Sequence, residues 1–211
     1  SKWITQEIRL FLGSQQDYID IEYTVGPIPF ADDLGKEIVS RWSSDLNTQG
    51  IFYTDSNGRD MQKRQFNHRE TWNITVTDPV SGNFYPVNAA IYMKDIVTNN
   101  TLTVLVDRSQ AGASLKDGSI ELMVHRRTLY DDNRGVGEAI NEPGINGDGL
   151  IITALHRLIY TTNNINTRSK LRTHQELINS PSILTFTNVP ASMDVKTFMN
   201  KYNLSYSAMK S

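Results

Sequence analysis

Apolar and polar side chains exchange places at every second position over long stretches of this chain. Ile19, Ile21, Tyr23 and Val25 alternate with Asp20, Glu22 and Thr24, a period of two that sets one face of a strand on a core and the other in water. Just upstream, Ile8, Leu10 and Leu12 alternate with Arg9 and Phe11, and Gly13-Ser14-Gln15-Gln16-Asp17 is a polar connection short enough to close a hairpin. Further strands are predicted over Ile51–Thr54, Asn88–Lys94, Thr101–Asp107 and Ser119–His125, with one more from Leu150-Ile151-Ile152 and Leu155 to Tyr160. Asn57-Gly58 predicts a turn, because both residues tolerate positive φ. Proline and glycine mark the loops Val25-Gly26-Pro27-Ile28-Pro29 and Asn141-Glu142-Pro143-Gly144, where proline removes a ladder donor and ends pairing.

The period changes after Gly149. Asn166-Thr167 caps a helix in which Leu171, His174, Gln175 and Ile178 recur at helical spacing, and Asn179-Ser180-Pro181 stops it. Beyond Pro181 the chain reads as short strand or coil, with a helical pattern over Val195–Tyr202. The expected fold is mainly β: an antiparallel β-sandwich with long loops and a short C-terminal helix. Residues 1–160 form the sandwich, and residues 161–211 continue the same β-rich region as a helix plus short strands.

Composition narrows the partners. A chain of 211 residues buries roughly 70% of its unfolded surface, enough for a core without staples. Its 21 basic and 23 acidic side chains give a net charge of −2, so neither a nucleic-acid footprint nor a polybasic membrane surface is indicated. The longest apolar runs, such as Leu102-Thr103-Val104-Leu105-Val106, fall far short of the ~20 residues that span a bilayer. The absence of cysteine excludes disulfides and thiolate metal sites within the chain. Ser1-Lys2-Trp3-Ile4 lacks the basic and apolar regions of a signal peptide, so none is expected in the sequence as given. Asn73-Ile74-Thr75, Asn99-Asn100-Thr101 and Asn203-Leu204-Ser205 are glycan-acceptor patterns, of which Asn99 lies in the most polar stretch.

Candidate chemistry is sparse. Asp55-Ser56-Asn57-Gly58-Arg59-Asp60 opens like a calcium loop, but Arg59, Asp60 and Phe66 stand where a ligand, a glycine and a bidentate glutamate belong. A turn held by side-chain to backbone hydrogen bonds fits better. Asp131-Asp132, near Arg126-Arg127 and Arg134, offers two carboxyl groups of the kind glycoside hydrolysis requires. Neighbours on a strand point to opposite faces, so the pair reads more simply as a polar turn. His68, His125, His156 and His174 are too scattered for a local zinc motif, and no serine elbow, Walker loop or dinucleotide fingerprint occurs. Trp42, Tyr53, Trp72, Phe84 and Tyr85 have the chemistry to stack on sugar rings, although most are expected in the core.

Taken together and in order, several segments resemble the C-terminal half of the lysosomal-type α-mannosidases of glycoside hydrolase family 38. They are Tyr23 to Pro29, Gly35-Lys36-Glu37, Phe52 to Arg59, Gly82 to Asn88, Val106 to Ser114, Asp117-Gly118, Glu121 to Arg127, and Asp131 to Glu138. The similarity covers roughly residues 3–160. It implies a galactose-mutarotase-like β-region of a retaining, zinc-dependent enzyme that removes α-linked mannose from glycoprotein oligosaccharides, in the lysosome or after secretion. It further implies that the zinc ligands and the nucleophile lie on an upstream domain, and that the chain derives from processing or truncation.

The chain alone is therefore expected to be inactive and to bind no zinc itself, with the catalytic chain of the same enzyme and a mannose-containing oligosaccharide as partners. Neither nucleic acid nor membrane is expected. The segment matching the loop that reaches the sugar pocket runs from His125-Arg126-Arg127 to Asp131-Asp132. Arg126 or Arg127 either meets a mannose hydroxyl or holds the loop in place. The rival expectation is a free-standing carbohydrate-binding sandwich whose exposed aromatics stack on sugars.

Overall fold

The alternation around Ile21 becomes a strand, Tyr18–Val25 (β2), in a computed structural model that describes residues 3–11, 17–162, 167–184, 186, 188–189 and 191–202. It pairs antiparallel with Ile4–Leu10 (β1), bringing Ile8 opposite Ile21. The polar connection predicted between them, like Leu12, lies outside the described residues apart from Asp17. The remaining strands are Lys36–Ser43 (β3), Ile51–Ser56 (β4), Asp60–Gln65 (β5), Tyr85–Val87 (β6), Ala90–Lys94 (β7), Thr101–Val106 (β8), Gln110–Ala113 (β9), Ser119–Arg127 (β10) and Ile152–Thr161 (β11). A seven-stranded sheet runs β1-β2-β11-β8-β7-β4-β5, and a four-stranded sheet runs β3-β10-β9-β6. All the pairings are antiparallel, as expected for a sandwich assembled from hairpins and longer returns.

The core lies between the sheets. Phe52, Val87, Ile91, Met93, Val104, Ile120 and Leu122 are fully enclosed there, and Tyr23, Val25 and Val124 continue the apolar layer toward the β1 end. Trp42 spans both clusters and is half-buried, as are Tyr53 and Phe84, whereas Trp72 is exposed. Tyr85 is buried between the guanidinium groups of Arg64 and Arg69, 4.4 and 4.6 Å from its ring centre.

Two alternation-based expectations change. β1 is an edge strand, and its Ile8 and Leu10 are 59% and 66% exposed because only β2 pairs with it. Asp20, expected in water, is buried because helix Thr167–Asn179 (α1) lies over the outer face of the larger sheet. There Ile178 and Leu171 pack on Ala90, Leu105 and Ile159. Asp20 is matched by Arg157 of β11, which donates from Nε and Nη2 at 2.7 and 2.8 Å and stacks over Tyr18. A bidentate partner satisfies a buried carboxylate that water cannot reach. The chain divides into two compact units, residues 1–180 and 181–211, so α1 belongs to the first. In the second, helix Val195–Tyr202 (α2) is capped by Asp194, whose carboxylate accepts from the Thr197 amide at 3.0 Å.

One polar group sits inside the sandwich. The imidazole of His156 on β11 has Nε2 2.8 Å from Gln110 Oε1 and Nδ1 3.1 Å from Ser40 Oγ, while Tyr23 meets its ring edge-on. Both ring nitrogens thus have a partner inside the core, one serving as donor and the other as acceptor in the neutral ring. Burial pushes the imidazole down from 6.5 to about 4, against a smaller opposing pull from Asp107. The neutral ring is thus favoured in the folded state while an unfolded chain protonates near 6.5. Stability is unaffected above that value and declines by about 1.4 kcal/mol per pH unit below it, until the folded ring also titrates. Between pH 7 and pH 4 the loss should reach about 3 kcal/mol. Urea unfolding of the parent and His156→Gln across this interval checks it, since only the parent should show this component of the slope.

Candidate functional site

Strand β10 changes phase before it reaches the candidate residues. Met123 pairs with Val39, but His125 pairs with Ile38, so Val124 is an extra residue that shifts the register by one. Beyond it, Arg126 faces outward opposite Glu37, with 3.6 Å between their charged groups, and Arg127 turns under the neighbouring loops. The two arginines therefore have separate environments, one solvated and one buried.

Arg127 ties three pieces of chain together. Its Nη1 donates to the carbonyl oxygens of Ile28 at 2.9 Å and Asp148 at 2.7 Å, its Nε donates to Asn141 Oδ1, and its guanidinium lies 3.8 Å from the centre of the Phe30 ring. A planar fork with fixed donors suits this task; an ammonium group has no comparable geometry. The arrangement also requires a bare backbone at Gly149, where a Cβ would stand 2.6 Å from Arg127 Nη1. Next to it, Lys36 Nζ donates to the carbonyls of Pro29 and Leu34 and to Asp32, whose carboxyl it holds below the usual range. The loops at residues 26–35 and 128–150 are thus fastened from beneath by two cations.

Asp131 and Asp132 lie on the second of these loops. Asp131 accepts from the Asn133 amide and Asp132 from the Arg134 amide, each at 3.0 Å, so each carboxylate shapes a local turn. Around them Tyr130, Val136 and Ile145 stand exposed, at 81%, 80% and 104%. The structure joins Arg127 to this loop through Asn141 and Asp148, and leaves Arg126 on the other face of β10. Sequence reasoning did not single out Asn141 or Phe30, since their roles depend on contacts more than ten positions away; the Pro- and Gly-marked loops that contain or adjoin them were the available signal.

Other acidic motifs of the chain are fasteners as well. Asp55, 4% exposed, accepts from the backbone amides of Asn88, Ala89 and Ala90 through Oδ1 and from Gly58 through Oδ2, at 2.7–2.9 Å. Asn57 and Gly58 take the positive φ that their turn demands. Asp117 accepts from the Thr48 hydroxyl and the Gly50 amide. Asp95 is held at about 2 by the amides of Thr98, Asn47 and Val97.

The acceptor asparagines Asn73 and Asn99 are exposed, Asn99 with a φ of 61°; Asn203 lies outside the described residues. Among those residues no three His, Cys, Asp or Glu side chains converge as a metal site. His156 is committed inside the core, His125 Nε2 faces the Leu150 carbonyl at 3.3 Å, and His174 lies 3.6 Å from Asp17. This donor set does not fit a zinc centre. No helix among the described residues is long and apolar enough to cross a membrane.

Residues 1–134 match the model of the glycosyl hydrolases family 38 C-terminal domain. The chain belongs to that family. This family 38 domain is 52% identical over 159 residues to lysosomal alpha-mannosidase of Bos taurus, which covers 75% of the chain and 15% of the bovine protein. It is 50% identical over 162 residues to the Homo sapiens lysosomal enzyme, covering 77% and 15%, and 45% identical over 192 residues to alpha-mannosidase of Canavalia ensiformis, covering 89% and 19%. The chain thus spans less than a fifth of the length of these relatives. In structure it is similar to an alpha-mannosidase from Enterococcus faecalis V583, with a TM-score of 0.57 over 82% of this chain and 18% of that one; at 14% identity the likeness is one of fold.

Proposed function

We propose that this family 38 domain is a non-catalytic part of a retaining, zinc-dependent α-mannosidase that removes α-linked mannose from glycoprotein oligosaccharides. Its partner is the polypeptide that carries the catalytic centre of the same enzyme, working in the lysosome or the secretory pathway. The observation that carries this reading is identity of 50–52% to lysosomal alpha-mannosidases over three quarters of the chain, combined with a length that spans only 15% of them. In this reading the zinc is held by the polypeptide that carries the catalytic centre.

What this domain contributes is a wall. Arg127 positions the loop at residues 128–150, and Asp131 and Asp132 give its tip a fixed shape. Apolar side chains exposed together on one loop favour a surface that is covered in the complete enzyme, and Tyr130, Val136 and Ile145 are such a group. Arg126 stays solvated on β10 with Glu37 and is not assigned to sugar.

Assay of the 211-residue chain with an aryl α-mannoside and added zinc should give no turnover. Mixing it with the remainder of the enzyme should restore activity. Turnover by the chain alone at the rate of the complete enzyme refutes the reading, because attacking and acid carboxyl groups roughly 5–5.5 Å apart would then have to lie within it.

A further inference from the structure

Beyond α1, the outer face of the seven-stranded sheet holds a cavity of about 460 Å³ that shares no residue with the Arg127 loops. Its size falls within the range of small-molecule pockets, roughly 300–1,000 Å³. The floor is a row across three strands. Tyr53 of β4 pairs with Tyr92 of β7, and Tyr92 pairs with Thr103 of β8. The two phenol rings are stacked, 4.5 Å between centres and 10° from parallel. Gln175 of α1 closes one side.

Two features make this more than a gap under a helix. Thr103 and Gln175 are 3% and 6% exposed, and neither side chain has a hydrogen-bond partner among the described residues. Their polar atoms are not sealed off, so both groups open on the cavity they line and are available to a molecule bound there. The rim is also unevenly charged. Asp60 is occupied by the Met61 amide and the Gln62 side chain, and Arg172 by Glu176 and the Gly58 carbonyl. Arg59 and Lys94 line the same cavity without an acidic partner among the described residues.

We propose that this cavity binds a saccharide carrying a negatively charged substituent, a carboxylate or a phosphate. The outer faces of the tyrosine pair accept the C–H face of a pyranose, a hydroxyl and an amide answer its hydroxyl groups, and a cation at either end of the row holds the anion. Neither a bare anion nor an uncharged sugar uses all three. The site is independent of the mannosidase reading, since it needs no residue of the loop at 128–150.

Calorimetric titration of the 211-residue chain with glucuronic acid, glucose 6-phosphate, glucose and inorganic phosphate tests this, with amide shift mapping to locate the site. Both sugar acids should bind with a Kd in the millimolar range or tighter and perturb Lys94, Thr103 and Gln175. Glucose should bind at least about tenfold more weakly, and so should phosphate, each lacking one set of contacts. If only one sugar acid binds, that one names the substituent. Thr103→Val keeps the side-chain shape and should weaken both acids about fivefold without affecting phosphate. Arg59→Gln combined with Lys94→Gln should weaken them at least about tenfold at an unchanged urea midpoint. Phosphate binding as tightly as the sugar acids, shifts confined to other residues, or a double variant that binds like the parent would each overturn the proposal, as would no saturable binding of either acid.

Discussion

Asp55→Ala should remove on the order of 4 kcal/mol of stability, the largest loss expected from any single substitution considered for this domain. Four backbone amides, those of Gly58, Asn88, Ala89 and Ala90, converge on one buried carboxylate that joins the β4–β5 turn to the start of β7. Alanine leaves all four donors without their acceptor, those of Ala89 and Ala90 in a buried site, and each orphaned buried donor costs about 1–3 kcal/mol before the structure relaxes. Domains of this kind have roughly 5–15 kcal/mol in total, so much of the molecule should be unfolded at moderate urea. Asp55→Asn should fall between the two, losing about 2 kcal/mol, because its amide turns one acceptor into a donor that faces another donor. Urea midpoints measure both, and an asparagine variant as stable as the parent contradicts this account of the hub.

Arg127→Met should lose on the order of 3 kcal/mol, while Arg126→Met stays within about 0.5 kcal/mol of the parent. Methionine keeps the length of the stem and removes the fork, so the carbonyls of Ile28 and Asp148 and the Asn141 side chain lose their donor together. Arg127→Lys should recover only part of the loss, since one ammonium cannot match three acceptors set for a planar group. Limited proteolysis provides a second readout: cleavage within residues 128–150 should quicken for both Arg127 variants and remain unchanged for Arg126→Met. Equal effects at the two positions would remove the basis for treating Arg127 as the residue that positions this loop.

The strands around Ile21, Phe52, Val104 and Leu122 were legible because one face of each is buried and the period of two survives in the residue types. β3 was not, for its inward series includes Ser40, which is polar because it meets His156 inside the core. β9 was hidden by small residues: a Cβ on Gly112 would stand 2.7 Å from Val87, so close packing required a residue that a reader takes for a turn. β5 is a polar edge strand with little alternation to read. At the candidate site, the loop and its arginines were visible as motifs, but the choice between Arg126 and Arg127 was not. Asp20 shows the same limit, because the helix that covers it lies more than a hundred positions away.

The unpaired step at Val124 makes that choice, and it does so by counting. Along β10 before this residue, even numbers look inward, at Ile120 and Leu122; beyond it the odd numbers do, at His125 and Arg127. Removing one residue there would restore the simple count and send what is now Arg126 inward along a ladder one step shorter, leaving its neighbour in solvent. An insertion or deletion at this point thus exchanges the identities of two adjacent side chains without altering either one, so relatives should be aligned here by inward-facing position before any arginine is equated with another.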